Sequence, residues 1–331
     1  MSSVDIIVPC YRYAHYLREC VSSVLGQSVE HLRVLIIDDA SPDNTAEVAA
    51  ELAKEDSRVT VLRHSTNKGH IATYNEGIEW VSADYMLLLS ADDYLLPGAL
   101  GRSVNLMDAS SDVGLTFGKA IVRHDRDRAG DMNGIDRSED YRILSGLEFI
   151  ELSGASNIVP TAAAVVRTAL QKRLGGYRPE LPHSGDMEMW LRFAAHGPVG
   201  MFEAHQAVYR RHDGNMSVPY LSRSGLQDLL QRKAAFDCFF ETCGKALPNL
   251  SRLRFRLFRL LGREAIGFAS SAFNEGEMEV SEKLSAFALA VCPQVERSLP
   301  WIRLACKRSL GQRRWRALRP AVARIRQAMF S

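Results

Sequence analysis

Two pairs of adjacent carboxylates, Asp38-Asp39 and Asp92-Asp93, each follow a short apolar run in this chain. Neighbouring carboxylates repel one another unless a cation lies beside them, and hard oxygen ligands suit Mn2+ or Mg2+ bridging substrate phosphates. The clearer pair is Ser90-Ala91-Asp92-Asp93, directly after Met86-Leu87-Leu88-Leu89. Its competing reading is an acidic cap on a helix starting near Pro97. Asp38 and Asp39, after Val34-Leu35-Ile36-Ile37, are placed to accept hydrogen bonds from a base edge or a ribose hydroxyl. Asp43 reads equally as a turn or helix-cap residue. Asn67-Lys68-Gly69-His70 either forms a tight turn or delivers backbone N–H groups and a helix N-terminus to a phosphate.

These residues need a scaffold that brings strand ends together. Val4-Asp5-Ile6-Ile7-Val8-Pro9 reads as a buried strand and residues 16–27 as a helix. A second strand ends at Asp38, and a helix begins near Thr45. Strand 59–62, helix 71–81 and strand 85–89 complete an alternating βαβ succession. That pattern predicts an α/β fold with a mostly parallel sheet flanked by helices, and ligands in such sheets sit beyond the carboxyl ends of the strands. Pro9 and Tyr11, Asp38 and Asp39, His64, Asn67 and Gly69, and Asp92 and Asp93 all fall there. Mixed strands and loops follow from Val113, with a charged segment near residues 124–140 and a helix over 186–195.

The 331 residues are 46% hydrophobic and 24% charged, values of a folded globular chain, and fit one large domain with an appendage. Six scattered cysteines form no CxxC pair, which points to reduced thiols rather than a disulfide framework or a zinc site. There is no signal-peptide pattern and no apolar run of the ~20 residues a spanning helix needs. The net charge of +2 conceals an asymmetry: residues 221–331 carry 20 Lys or Arg against 9 Asp or Glu, and the remainder 21 against 30. An acidic body is thus joined to a basic tail.

Taken in order, the motifs resemble those of family 2 glycosyltransferases of the GT-A fold. They are residues 4–11, Asp38 to Asp43, Asn67-Lys68-Gly69 through Asn75-Glu76-Gly77, Ala91-Asp92-Asp93, Gly175-Gly176-Tyr177, and Gly185-Asp186-Met187-Glu188-Met189-Trp190-Leu191-Arg192. The resemblance spans roughly residues 4–215 and implies inverting sugar transfer from a nucleotide diphosphate, UDP above all, with Mn2+ or Mg2+. It implies that Pro9 and Tyr11 flank the nucleotide, with Asp38, Asn67 and Gly69 in the same subsite. Asp39 would contact the base, Asp92 the ribose, Asp93 the metal, and Asp186 would be the catalytic base, against a plain N-cap. His212, in Tyr209-Arg210-Arg211-His212-Asp213-Gly214-Asn215, would complete the metal shell, with Arg211 on phosphate and His183 and Glu188 in the acceptor or diphosphate loop. Two departures stand out: Ser90 replaces a frequent Asp, and Gly185 replaces the Glu that commonly precedes the base. The Gln-x-x-Arg-Trp pattern of processive synthases is absent, which favours one sugar per encounter.

The expected organisation is a catalytic domain over 1–220, with nucleotide-sugar binding in about 1–115 and acceptor and base in 116–220, followed by a basic helical extension over 221–331. From Arg297 onward no acidic residue occurs, while arginines alternate with Trp301, Leu304, Trp315, Leu318, Val322, Ile325 and Met329. Such helices suit an anionic membrane surface or a face packed on another subunit, with Pro320 dividing the stretch. The expected setting is the cytoplasm, peripheral on the inner face of a bacterial membrane, with a glycan or lipid-linked acceptor for surface or extracellular polysaccharide. Nucleic acid is not an expected partner, since no recognition motif accompanies the basic helices. Two rivals remain. One is sugar-phosphate nucleotidyl transfer, which predicts a Gly-rich basic loop where the chain has Cys10-Tyr11-Arg12-Tyr13. The other is a catalytically idle nucleotide-sugar-binding scaffold.

Overall fold

The computed structural model describes residues 2–124, 135–220, 225–243 and 247–319. The first strand, β1 (Ser3–Cys10), is buried along nearly its whole length, as befits an inner parallel strand covered on both faces. Its one acid, Asp5, is neutralised by Arg33, 2.6 Å away, and by the N–H groups of Ser82 and Ala83. Then come α1 (Ala14–Leu25), β2 (His31–Asp38), α2 (Thr45–Glu55), β3 (Val59–Arg63), α3 (His70–Trp80) and β4 (Tyr85–Leu88). These strands pair in parallel in the order β3-β2-β1-β4. Gly77 lets α3 lie close on β1, because a β-carbon there would sit 2.4 Å from Ile7 Cγ2.

The second half departs from the expected mostly parallel sheet. After β5 (Tyr94–Leu95) and α4 (Ala99–Ala109) come β6 (Leu115–His124), β7 (Tyr141–Leu144), α5 (Gly146–Ser153) and β8 (Val165–Arg167). Next are α6 (Thr168–Leu174), α7 (Gly185–Ala194) and β9 (Val199–Arg211). The sheet continues as β4-β8-β6-β9-β5, with β7 also on β9. Strand β8 runs antiparallel between β4 and β6, and β5 and β7 run antiparallel to β9. Among the described residues, four strand pairings are parallel and four antiparallel. One sheet therefore serves both the expected nucleotide and acceptor parts, with no break near residue 115. None of the six cysteines is in a disulfide.

By compactness the chain divides into Met1–Asn215 with Thr242–Leu247, and Met216–Glu241 with Pro248–Ser331. The second unit is helical: α8 (Leu226–Thr242), α9 (Leu250–Glu275), α10 (Met278–Val291) and α11 (Leu299–Leu310), followed by helical residues 312–319. Arg232 on α8 forms a bidentate pair with Glu264 on α9, at 2.9 and 2.8 Å. The tail breaks at Gly311 (φ 75°), while Pro320, Val322, Ile325 and Met329 lie outside the described residues. The apolar residues of the described tail fall on two faces. Leu304 is buried, Lys307 reaches Ser270, Arg308 binds Ser281 and Ser285, and Trp315 donates to Asn274. Leu299, Ile302, Leu310 and Leu318 face outward. Among the described residues no helix is long and apolar enough to cross a membrane.

Candidate active site

The loops that leave β1, β2, β3 and β4 lie together at the carboxyl edge of the parallel strands. Two non-glycine residues there hold left-handed backbone, Arg12 (φ 65°) after β1 and Ala40 (φ 56°) after β2. Such conformations persist only where surrounding bonds enforce them. Here the enforcement is visible: Ser41 Oγ accepts from Arg12 N at 3.1 Å, and Ser41 N donates to Asp38 Oδ1 at 2.9 Å. Asp43 accepts from Ala14 N and from Thr45, so it pins the two loops together. Pro9 is buried in the floor, and Tyr11 is 41% exposed with Arg12 over its ring.

Asp39 is tied into the loop after β3. Its Oδ1 accepts from Lys68 N at 2.7 Å and contacts His64 Nδ1 at 2.6 Å, while Oδ2 accepts from Gly69 N at 3.0 Å. The N–H groups of Lys68 and Gly69, which the sequence left open to a tight turn or to phosphate, are taken up by this carboxylate. Asn67 donates to the Asp39 carbonyl and accepts from Gly69 N, so it shapes the turn. Burial would raise the Asp39 pKa, but the bonds from His64, Lys68 and Gly69 outweigh it and hold the carboxyl below its usual range.

The second carboxylate pair lies at the end of β4, and it does not cap α4, which starts after Gly98 without a side-chain cap. Asp93 Oδ1 accepts from Arg210 N at 2.9 Å, and Arg210 Nη1 donates to the Asp92 carbonyl at 2.7 Å. The Arg210 guanidinium also pairs with Glu19 and is held 4.8 Å from the ring centres of both Tyr16 and Tyr94. On Asp92, Oδ2 meets His212 Nε2 and Asn215 Nδ2, each at 3.1 Å, while Oδ1 is buried with no hydrogen-bond partner. Burial, and then the adjacent Asp92 charge, push the Asp93 carboxyl well above its ordinary pKa. Tyr13 closes this corner, donating to Gly214 O at 3.0 Å.

Asp186 sits in the first turn of α7 and is not its N-cap, which is Ser184. Its Oδ2 accepts from Asn157 Nδ2 at 2.8 Å and Thr161 Oγ1 at 3.2 Å, and its Oδ1 from Met187 N at 2.7 Å. Burial raises its pKa despite those bonds and the nearby His183. The Tyr74 phenol, on α3, is pushed up by burial and then by Tyr177, Asp92 and Asp186, so it lies within electrostatic reach of both acidic groups.

Glu188 and Arg211, expected in the acceptor or diphosphate loop, have different surroundings. Glu188 is fully buried and spent on Arg192 at 2.9 Å and Arg178 at 3.3 Å. Through Arg192, which donates to the carbonyls of Leu174 and Gly176, it braces the glycine loop rather than meeting an acceptor. Arg211 is exposed, and its neighbour Arg210 turns inward instead. Strand alternation carries the signal that distinguishes them, because Val208, Arg210 and His212 share one parity at the end of β9. The tyrosines at 13, 16, 74 and 94, and Asn157, Thr161 and Asn215, were not foreseen. Asn157 and Thr161 reach Asp186 from 29 and 25 residues away, and Asn215 reaches Asp92 from 123, contacts that leave no local pattern.

The sequence profile of glycosyl transferase family 2 matches residues 5–174, more than half the chain. The chain belongs to this family. Among curated relatives of family type, an uncharacterized glycosyltransferase of Haemophilus influenzae is 33% identical over 107 residues, which is 32% of this chain and 43% of that protein. Glycosyltransferase GlyG of Streptococcus pneumoniae is 35% identical over 91 residues, 27% of this chain and 30% of its own length. Both matches span less than half of the relative. Among solved structures, a mannosyltransferase of Pyrobaculum calidifontis, bound to GDP-Man and Mn2+, superposes with TM-score 0.56 at 14% identity, covering 96% of this chain and 84% of its own. Staphylococcus aureus TarS 1–349 with UDP-GlcNAc gives 0.54 at 15%, covering 89% and 91%. The fold is accordingly the GT-A arrangement of family 2.

A divalent metal is the group this family resemblance implies, and the donor set can be tested for it. Among the described residues no three His, Cys, Asp or Glu side chains form a ready-made cage. The orphaned Asp92 Oδ1 and the raised Asp93 carboxyl beside it nevertheless offer hard oxygens in one corner, with the His212 ring next to them accepting from Gly214 N at Nδ1 and meeting Asp92 through Nε2, so that it would have to give up one of these bonds to join a metal. This incomplete shell fits Mn2+ or Mg2+ whose remaining ligands are phosphate oxygens and water.

Proposed function

We propose that the chain moves one sugar, with inversion, from a nucleotide diphosphate to a hydroxyl of a glycan or lipid-linked acceptor. The observation carrying this reading is the Asp92-Asp93 pair after β4, with one carboxylate oxygen left without a partner, in a chain whose Asp186 is held in a fixed orientation by Asn157, Thr161 and Met187 N. Asp93, Asp92 and His212 would hold the metal, which when bound supplies positive charge to the departing diphosphate. Asp186, fixed by Asn157, Thr161 and Met187 N, takes the acceptor hydroxyl's proton as that oxygen bonds to the anomeric carbon. The bond from the anomeric carbon to the diphosphate oxygen breaks in the same displacement, which inverts that centre.

UDP is the favoured donor nucleotide. Asp39 Oδ1 has two partners and Oδ2 one, which leaves room for a single further donor. A base with one ring N–H between two carbonyls, uracil or thymine, matches that capacity, whereas guanine offers two adjacent donors. The UDP-GlcNAc and GDP-Man of the two structural neighbours bracket this choice. We further place the chain on the cytoplasmic face of a membrane, where the outward Leu299, Ile302, Leu310 and Leu318 would enter the interface between arginines.

Incubating the full chain with Mn2+ and a panel of UDP-, dTDP-, GDP- and CDP-sugars, and measuring released nucleoside diphosphate, tests the reading. Turnover of a UDP- or dTDP-sugar is expected. No turnover of any donor, with or without glycan acceptors, would favour an idle binding scaffold instead.

A further inference from the structure

Beside the nucleotide end of the crevice lies a buried histidine that the chemistry above does not use. His64 follows β3 and is 5% exposed. Its Nδ1 lies 2.6 Å from Asp39 Oδ1, and its Nε2 lies 3.1 Å from Glu76 Oε2 on α3. Glu76 Oε2 in turn accepts from Lys68 Nζ at 2.8 Å, and Lys68 N donates to Asp39. The four side chains and the 67–69 turn form one closed circuit around the ring.

A neutral imidazole has one N–H and one bare nitrogen. Whichever tautomer it adopted, the bare nitrogen would face a carboxylate oxygen with lone pair against lone pair. Protonation of a carboxylate is the other way to relieve that clash, but both acids favour their ionised forms. Asp39 accepts from the N–H groups of Lys68 and Gly69, and Glu76 from the Lys68 ammonium, donors that favour an ionised carboxylate whatever the state of His64. Ionised carboxylates only accept, so each ring nitrogen must donate.

We propose that His64 is a doubly protonated positioning residue, whose charge bridges Asp39 to Glu76 and fixes the carboxylate that receives the donor's base. This rests on the assignment of Asp39 as the base contact. Without the second ring proton, Asp39 keeps the N–H groups of Lys68 and Gly69 but loses its cationic neighbour, and the bond to Glu76 that orients the ring is gone.

Two measurements on the full chain test it. The first is 15N NMR of histidine-labelled protein at neutral pH, with His64 identified by its loss in His64→Asn. Both His64 ring nitrogens should carry protons, and Glu76→Gln should convert the ring to one protonated and one bare nitrogen. A bare nitrogen in the unsubstituted protein overturns the proposal whatever the donor does. The second is calorimetric titration, in Mn2+, of UDP and of inorganic pyrophosphate, which has no base. Glu76→Gln, a partly exposed site that tolerates the change, should weaken UDP about tenfold and leave pyrophosphate unchanged. Equal weakening of both ligands would mean general damage and sink the positioning role. Asp39→Asn is the control for the underlying assignment: if it leaves UDP affinity intact, the base contact is misassigned and the bridge positions nothing. If Asp39→Asn weakens UDP but Glu76→Gln does not, the base contact stands and the bridge fails.

Discussion

Asp93 and Asp186 are both carboxyls raised by burial, and the proposed function gives them opposite tasks. Asp93 has a like charge beside it and a partnerless oxygen on its neighbour, conditions that a cation relieves. Asp186 has no acidic neighbour among its causes of shift, and its three hydrogen bonds orient it without neutralising it. A base must be deprotonated to act, so a raised pKa moves the acidic limb of the rate profile upward. We predict that log kcat/KM falls with unit slope below a midpoint above the ordinary aspartate value of about 3.9. Asp186→Asn should lower kcat by about 10²- to 10⁴-fold and remove that limb. Retention of the limb in the variant would assign it to another group. Asp92, Asp93 and Asp186 were legible because they follow or open regular elements with few other uses for acids. Arg210 was not, because choosing it over Arg211 needs the strand parity of β9, and its partners Glu19 and Asp92 are distant in the chain.

At the scale of elements, a clasp joins α3 to the glycine loop before α7, whose first turn carries Asp186, the proposed base. Asn75 imitates a backbone strand, donating to Tyr177 O at 2.9 Å and accepting from Tyr177 N at 2.7 Å. A β-carbon at Gly176 would lie 2.2 Å from Asn75 Oδ1. Gly176→Ala should therefore break the clasp, cost about 1–3 kcal/mol in chemical denaturation, and reduce transfer by shifting Tyr177. Unchanged stability would show that the loop has slack which the packing does not reveal. By contrast Gly185 has room, since a β-carbon there meets nothing closer than Tyr177 Cδ1 at 3.4 Å, so the missing glutamate is not a steric matter. The alternating elements up to β4 were readable because each strand and helix is local and strongly patterned. The two-residue β5 and three-residue β8 are too short for periodicity, and their antiparallel pairing joins segments some 50 to 115 residues apart.

For the molecule as a whole, the charge asymmetry read from the sequence persists, but the tail's inner face is already occupied. Lys307, Arg308 and Trp315 are tied to α9 and α10, so only the outer face remains for lipid. Vesicle co-sedimentation should depend on anionic lipid and fall with salt, each arginine near the surface contributing about 1 kcal/mol. Replacing Ile302 and Leu310 together by Asp should abolish it without unfolding the helical unit. Binding that survives this double change would move the contact elsewhere. All of these proposals presuppose that donor binding and proton abstraction are separate duties of one crevice. Calorimetry of UDP with and without Mn2+ tests that division most directly, using the unsubstituted chain, Asp93→Asn and Asp186→Asn. The unsubstituted chain and Asp186→Asn should bind equally and only with the metal, and Asp93→Asn should lose the metal-dependent part. Undiminished Mn2+-dependent binding by Asp93→Asn would contradict the account.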